Sequence, residues 1–127
     1  MTEPVWLLRE TIEILHEETI SNEGGAFGLR DEGLLESALA RPRNAWNYGV
    51  NDIHALAASY AFGLAKNHAI IDGNKRAAFL ACAVFLELNG VSLAASEAAA
   101  ALAFLSVAAG DMSEEELAAW LRENTER

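Results

Sequence analysis

Nine consecutive residues, His68-Ala69-Ile70-Ile71-Asp72-Gly73-Asn74-Lys75-Arg76, bring together an imidazole, a carboxylate, a glycine, an amide and two cations. The chain has only two lysines, Lys66 and Lys75, and both lie in or beside this run. Apolar sequence with helical spacing flanks it on both sides. Such a set suits the handling of a phosphate or a carboxylate; a polar loop that caps a neighbouring helix would use the same residue types. Phosphate chemistry gives each member a role. A helix starting near Asn74 exposes unpaired N–H groups and the positive end of its dipole, which favour an anion. Gly73 lets the backbone approach phosphate oxygens, and Asn74 can hydrogen-bond one. Lys75 offers a compact charge and Arg76 a planar fork for two oxygens. His68, as a neutral imidazole, can take a proton from a hydroxyl nucleophile. Asp72 repels a bare phosphate, so it would act through Mg2+ or by orienting the acceptor hydroxyl.

Other chemistries fit the chain poorly. One cysteine and three dispersed histidines do not make a structural zinc site. There is no H-E-x-x-H pair, no G-x-S-x-G elbow and no P-loop pattern. Cys82 lies in an apolar run and reads as a buried small hydrophobe. Paired-carboxylate hydrolysis would leave Lys75 and Arg76 without a purpose.

The elements that must position these residues read as helices. The length of 127 residues predicts one domain over 1–127, and the apolar share of 52% is that of a globular chain. A net charge of -10 argues against a general nucleic-acid surface, while a local basic pocket can still take a phosphorylated ligand. No signal peptide and no apolar run of membrane-spanning length is found, so no membrane partner is expected and the default compartment is the cytoplasm. The spacing predicts a first helix from Pro4 to about Ile20, with Trp6, Leu7, Ile12, Ile14, Leu15 and Thr19 as its buried stripe and His16 at a core edge or a pocket, then a glycine-rich loop over 21–30. A second helix runs from a cap at Asp31 over Glu32–Ala40 and stops at Pro42. Arg41, Arg43, Asn44, Trp46, Asn47, Tyr48 and Gly49 follow as a polar-aromatic connector, either a flap or substrate-recognition surface, or a segment whose Trp46 and Tyr48 close the core from outside. A third helix, capped best by Asn51, reaches about Asn67. His54 near its start reads as a capping or surface hydrogen-bonding residue. The fourth runs from about Asn74 to Leu88 or Asn89 and stops at Gly90. Val91-Ser92-Leu93 is an extended link. Ser96 caps a fifth helix ending at Gly110, Ser113 with Glu116 forms a capping box for a sixth, and residues 124–127 are expected to fray. The fold class is therefore all-α, a six-helix bundle with the charged stretch between its two most buried helices.

His68, Asp72, Gly73, Asn74, Lys75 and Arg76 also match a known signature. The stretch resembles the Fic/Doc superfamily pattern H-x-F-x-[D/E]-G-N-G-R-x-x-R, and in particular its death-on-curing (Doc) toxin branch, which commonly has a lysine before the first arginine and lacks the last one. Gly24-Gly25, the run from Gly28-Leu29-Arg30-Asp31 to Leu39, and Leu88-Asn89-Gly90 extend the likeness over nearly the whole chain. The resemblance implies a Fic/Doc-like bundle and a role for each position. His68 would be the general base and Asp72 the residue that helps hold Mg2+ or the attacking group. Gly73 and Asn74 would form the anion nest, and Lys75 and Arg76 would hold the phosphates of ATP.

Typical Fic enzymes transfer AMP from ATP to a protein hydroxyl. Doc toxins bind ATP in the opposite sense and transfer its terminal phosphate. Their substrate class is elongation factor Tu, the outcome is arrested translation, and a Phd-type antitoxin neutralises them. Three departures from the Fic pattern bear on that choice. Ile70 replaces the usual aromatic, Lys75 replaces a glycine, and Phe79 stands where the second arginine would be. Phe79 and Lys75 favour the Doc-like pose, while Gly73 is the classical residue. Phosphoryl transfer to a Ser or Thr is the leading expectation. AMP transfer, or a protein-binding module that keeps only the fold, are the alternatives. Thr19-Ile20-Ser21-Asn22-Glu23-Gly24 fits a loose self-inhibitory pattern of other Fic proteins; it overlaps the glycine loop and reads as coincidence, so inhibition is expected in trans.

Overall fold

The computed structural model describes residues 2–14, 32–67 and 74–126. Helices account for most of them: α1 (helical over 9–14), α2 (Glu32–Asn47), α3 (Ile53–Asn67), α4 (Asn74–Leu88), α5 (Glu97–Ala109) and α6 (Glu114–Glu123). Two short strands, β1 (Ser92–Leu93) and β2 (Thr125–Glu126), pair antiparallel with Ser92 opposite Glu126 and Leu93 opposite Thr125. The all-α, six-helix bundle expected from the spacing is what the chain forms.

α3 is the central helix. It packs against α2, α4, α5 and α6, and every residue from Leu56 to Ala61 is buried. A helix can be enclosed on nearly all sides only if its neighbours come close, and the small residues of α3 permit this. Gly63 marks one close approach: a Cβ there would lie 3.3 Å from the Ala38 Cα and 3.4 Å from the Arg41 Cδ of α2. Tyr60 and Phe85 join α3 to α4 with ring centroids 4.9 Å apart, and Trp6 stacks on Phe85 at 5.9 Å.

Helix ends follow local chemistry. Ser96 caps α5 by accepting from the Ala99 N–H, and Ser113 and Glu116 form the full capping box of α6. α2, α4 and α5 end in the same way: the N–H groups of Val50, Val91 and Asp111 reach back to the carbonyls of Ala45, Leu86 and Ser106, with a glycine at φ 105°, 80° and 85° before each.

Five expectations are corrected. Residues 2–8 precede α1 instead of opening it. The Asn89 side chain pairs with both backbone groups of Val5 (2.8 and 3.0 Å), and the Leu7 N–H donates to the Tyr60 hydroxyl (3.1 Å), so tertiary partners hold this segment out of the helix. Ile14, expected in the buried stripe, is 57% exposed. Pro42 does not stop α2, which runs on to Asn47. The bond its missing N–H would make is offset by anchoring on both sides: Arg41 reaches Ser59 and Glu114, and Arg43 lies 5.5 Å over the Trp6 ring. Asp52, not Asn51, caps α3, accepting the His54 N–H at 3.0 Å. Residues 125–126 do not fray, because β1 pairs with them and the Ala94 N–H donates to the Asn124 carbonyl. The expected Asp31 cap, Leu15, His16, the glycine loop and the Thr19–Gly24 pattern lie outside the described residues.

Candidate active site

α3 ends at Asn67 and α4 begins at Asn74, so residues 68–73 connect the two helices that pack most extensively on each other. His68, Asp72 and Gly73 lie outside the described residues. Asn74, Lys75 and Arg76 form the first turn of α4. The first turn of any helix has backbone donors with no partner inside the helix, and this one carries no acidic residue, so the positive end of the dipole is not offset from within the helix.

Behind this turn the helix is fastened by apolar contacts. Ala77 and Ala78 are buried directly after Arg76. Phe79 is half-buried and meets Phe104 of α5 edge-on at 5.4 Å, and Phe104 in turn meets Trp120 of α6 at 6.5 Å. Phe79 therefore belongs to an aromatic row that binds α4 to α5 and α6. Cys82, one turn further on, is fully buried, and burial pushes its thiol up to about 12. It stays protonated and is no nucleophile.

Lys66, in the last turn of α3, is exposed. Its ammonium lies 5.6 Å from the Phe62 ring centroid and close to Gly110, beside the C-terminal end of α5. A cation there meets the negative end of a dipole. Of the two lysines that drew attention in the sequence, this one serves packing between α3 and α5. Arg41, read in the sequence as part of the polar-aromatic connector, instead joins α2 to α3 and α6. Its guanidinium contacts the Ser59 hydroxyl (3.3 Å), the Glu114 carboxylate (2.6 Å) and the Phe62 face (5.7 Å).

The segment expected as a polar-aromatic connector is helical through Asn47, which removes the flap reading. Trp46 is half-buried against the core, and Tyr48 is 91% exposed. A cleft of about 570 Å³ lies nearby, lined by Ala45, Val50, Ser59, Glu114, Ala118 and Arg122 among others. It opens at the N-terminal half of α3; Ser59 is eight residues before Asn67, or about 12 Å of helix. At the same end, Asp52 holds Arg122 of α6 and both the backbone and the ring of His54, whose Nε2 lies 2.9 Å from the Thr125 hydroxyl. Burial raises the Asp52 pKa, but these hydrogen bonds outweigh it and hold the carboxyl below its usual value. His54 is thereby a hydrogen-bonding residue, as its position suggested. No group of three or more His, Cys, Asp or Glu side chains among the described residues could hold a metal, and no helix among them is long and apolar enough to cross a membrane.

A model of the Fic/DOC family matches residues 6–86, which takes in α1, α2, α3, the 68–76 stretch and nearly all of α4. The chain belongs to the Fic/DOC family. Within it, the similarity is to the Doc branch. A protein named Toxin Doc from Mycolicibacterium smegmatis is 51% identical over 75 residues, 57% of each chain. A protein named Protein kinase doc from Escherichia phage P1 is 32% identical over 114 residues, 89% of this chain and 90% of that one. The match thus spans little more than half of the mycobacterial relative and most of the phage one. In this Fic/DOC chain the family match ends at Leu86, so β1, α5, α6 and β2 lie beyond it.

Proposed function

We propose that this chain is a Doc-type toxin, a single domain over residues 1–127, that works in the cytoplasm as an ATP-dependent protein kinase. It transfers the terminal phosphate of ATP to a Ser or Thr hydroxyl of a translation protein, with elongation factor Tu the first candidate, and so arrests translation. A Phd-type antitoxin neutralises it. The observation that carries this reading is the matched stretch at the α3–α4 junction, with Asn74, Lys75 and Arg76 on the first turn of α4. The names of the two relatives, a toxin and a protein kinase, support it.

In the proposed reaction His68 takes the proton of the acceptor hydroxyl as its oxygen attacks the γ-phosphorus. The bond from that phosphorus to the β,γ-bridging oxygen breaks, and ADP leaves with the electron pair. Gly73, Asn74 and the backbone donors of α4 cradle the phosphate oxygens. Lys75 and Arg76 offset the charge that builds up on them. Asp72 holds the acceptor in line or serves as the protein ligand for Mg2+. One carboxylate beside phosphates matches the oxygen-rich, partly hydrated sites that Mg2+ prefers, and a bound Mg2+ would neutralise phosphate charge. The docking of Phe79 against Phe104 supports terminal-phosphate transfer over AMP transfer. The side chain at the second-arginine position is given over to the aromatic row, and it has no donor for a phosphate.

The test uses ATP labelled separately at the γ- and α-phosphates, with elongation factor Tu as acceptor. Label should enter from the γ position alone and should be lost in His68→Ala. Transfer of the α label would assign AMP transfer instead. A His68→Ala variant that modifies its target and stops growth like the parent would overturn the catalytic assignment.

A further inference from the structure

The His54 ring joins the start of α3 to the C-terminal strand. It is mostly buried, with 17% of the side chain exposed. Nδ1 lies 3.2 Å from Asp52 Oδ1, and Nε2 lies 2.9 Å from the Thr125 hydroxyl of β2. Carboxylate, imidazole and hydroxyl in that order have the outline of a nucleophile triad. The hydroxyl is turned the wrong way for one. Thr125 has a single hydroxyl proton, and it goes to the Leu121 carbonyl at 2.8 Å.

Hydrogen-bond chemistry then limits what the ring can be. Asp52 is a carboxylate bound through its other oxygen to Arg122, so it can only accept. Thr125, with its proton on Leu121, offers the ring only lone pairs. Both ring nitrogens therefore face acceptors, and only a ring protonated on both can donate to both. In a neutral ring one nitrogen has no proton. If it is Nδ1, its lone pair confronts the Asp52 carboxylate. If it is Nε2, Thr125 must swing its proton from the Leu121 carbonyl to the ring. Either way one bond of the set is lost.

We propose that His54 is a proton-operated latch on the C-terminal strand, holding Thr125 when the ring is charged and loosening it when the ring is neutral. Thr125 pairs with Leu93 of β1, and the Asn124 carbonyl beside it accepts the Ala94 N–H at 2.7 Å. The strand is two residues long, so one side-chain anchor is a large share of its hold. The charged groups in this cluster are Asp52 and, from α6, Arg122. The guanidinium opposes a charge on the ring and the carboxylate favours it; the carboxylate is the group in contact. β1 brings no charge, and Glu123 and Glu126, on either side of Thr125 in the chain, are exposed. The closed strand binds one more proton than the loosened one. Its hold is therefore complete in mild acid and falls as pH rises through the histidine range, near 6.5 for a free imidazole. Asp52 stays ionised across that range, since its carboxyl titrates below its usual value. The latch ties α3, inside the residues matched by the family model, to a strand outside them.

The test is amide hydrogen exchange of the full chain, read by NMR from about pH 5.5 to about pH 8. The Ala94 amide reports closure of the strand through its bond to Asn124. Corrected for the intrinsic pH dependence of exchange, its protection should fall by about threefold to tenfold as pH rises, the worth of one hydrogen bond. The Asp111 amide, bonded to Ser106 at the end of α5, should show no such fall. His54→Gln cannot titrate and should make the Ala94 protection independent of pH. Thr125→Val keeps a β-branched residue in the strand but removes the acceptor, and should do the same; it decides the matter if His54→Gln does not fold. Protection at Ala94 that is flat in the parent overturns the proposal, as does a fall that survives in either variant. A parallel fall at Asp111 would mean a global change and overturns it too. Hydrolysis of p-nitrophenyl acetate that depends on Thr125 would give the three residues a nucleophile's role in place of the latch.

Discussion

Asp52 provides the sharpest test of how α3 is held. One carboxylate oxygen accepts the His54 N–H at 3.0 Å, which is the N-cap bond of α3, and the other takes Arg122 of α6, with Nε at 2.9 Å. Asp52→Ala removes both. Loss of an N-cap costs about 1 kcal/mol. The Arg122 pair is half-exposed, so its share is nearer 0.5 kcal/mol, at about the middle of the range for surface pairs. The sum is roughly 1.5 kcal/mol, or about 6 °C in Tm for a domain of this size. Asp52→Asn keeps a capping oxygen but loses the charge, so it should lose only about 0.5 kcal/mol. The pH dependence has a fixed sign. The folded carboxyl titrates below its unfolded value of about 3.8. Its stabilisation is therefore complete above that value and is lost as pH falls through the lower, folded pKa. Urea unfolding followed by circular dichroism at pH 7 and in acid would measure all three proteins. The reasoning fails if Asp52→Asn is as damaging as Asp52→Ala, or if the gap between parent and Asp52→Asn stays the same in acid.

Three further outcomes are expected. Tyr60→Phe keeps the ring that packs on Phe85 but strands the buried Leu7 N–H, so it should lose about 1–3 kcal/mol in the same unfolding assay. Gly63→Val should lose about 1–3 kcal/mol through overpacking at the α2–α3 contact, while keeping its helical circular dichroism. Cys82 should resist a thiol reagent in the folded protein at pH 8 and react fully in urea; rapid labelling of the folded chain would contradict its burial.

The features legible in the sequence were those decided within a few residues. Ser96, the Ser113–Glu116 box, Gly90 and Gly110 set helix ends by local hydrogen bonds, and all were read correctly. The features missed depend on partners far along the chain. Pro42 looks like a stop until Ser59, Glu114 and Trp6 supply anchors for its neighbours. Pro4 looks like a helix start until Asn89 and Tyr60 claim Val5 and Leu7. Residues 124–126 look loose until β1 lies beside them. Asn51 looks the better cap until Arg122, seventy residues away, takes hold of the Asp52 carboxylate. The candidate site was legible as a set of residue types around one helix start, because phosphate chemistry and the family signature both act over a short span. Of that set, the helix start at Asn74 and the packing of Phe79 are features the fold supplies; the roles of His68, Asp72 and the cations rest on the chemistry of the stretch and await the labelling experiment.

The clasp between Asn89 and Val5 also bears on how the protein ages chemically. Asn89 is followed by Gly90, the pairing of residues most prone to deamidation, in which the glycine nitrogen attacks the asparagine side-chain carbonyl and ammonia is lost. Here both reactants are occupied. The Asn89 amide nitrogen donates to the Val5 and Phe85 carbonyls at 3.0 and 2.8 Å, and the Gly90 N–H donates to Glu87. The folded state thus shields its own weak point. Once converted, the aspartate would turn a carboxylate oxygen towards two carbonyl oxygens where a donor had been, and the Val5 segment would be released. Damage of this kind would therefore accumulate in chains that have already opened at this end, and each converted chain would find it harder to close again.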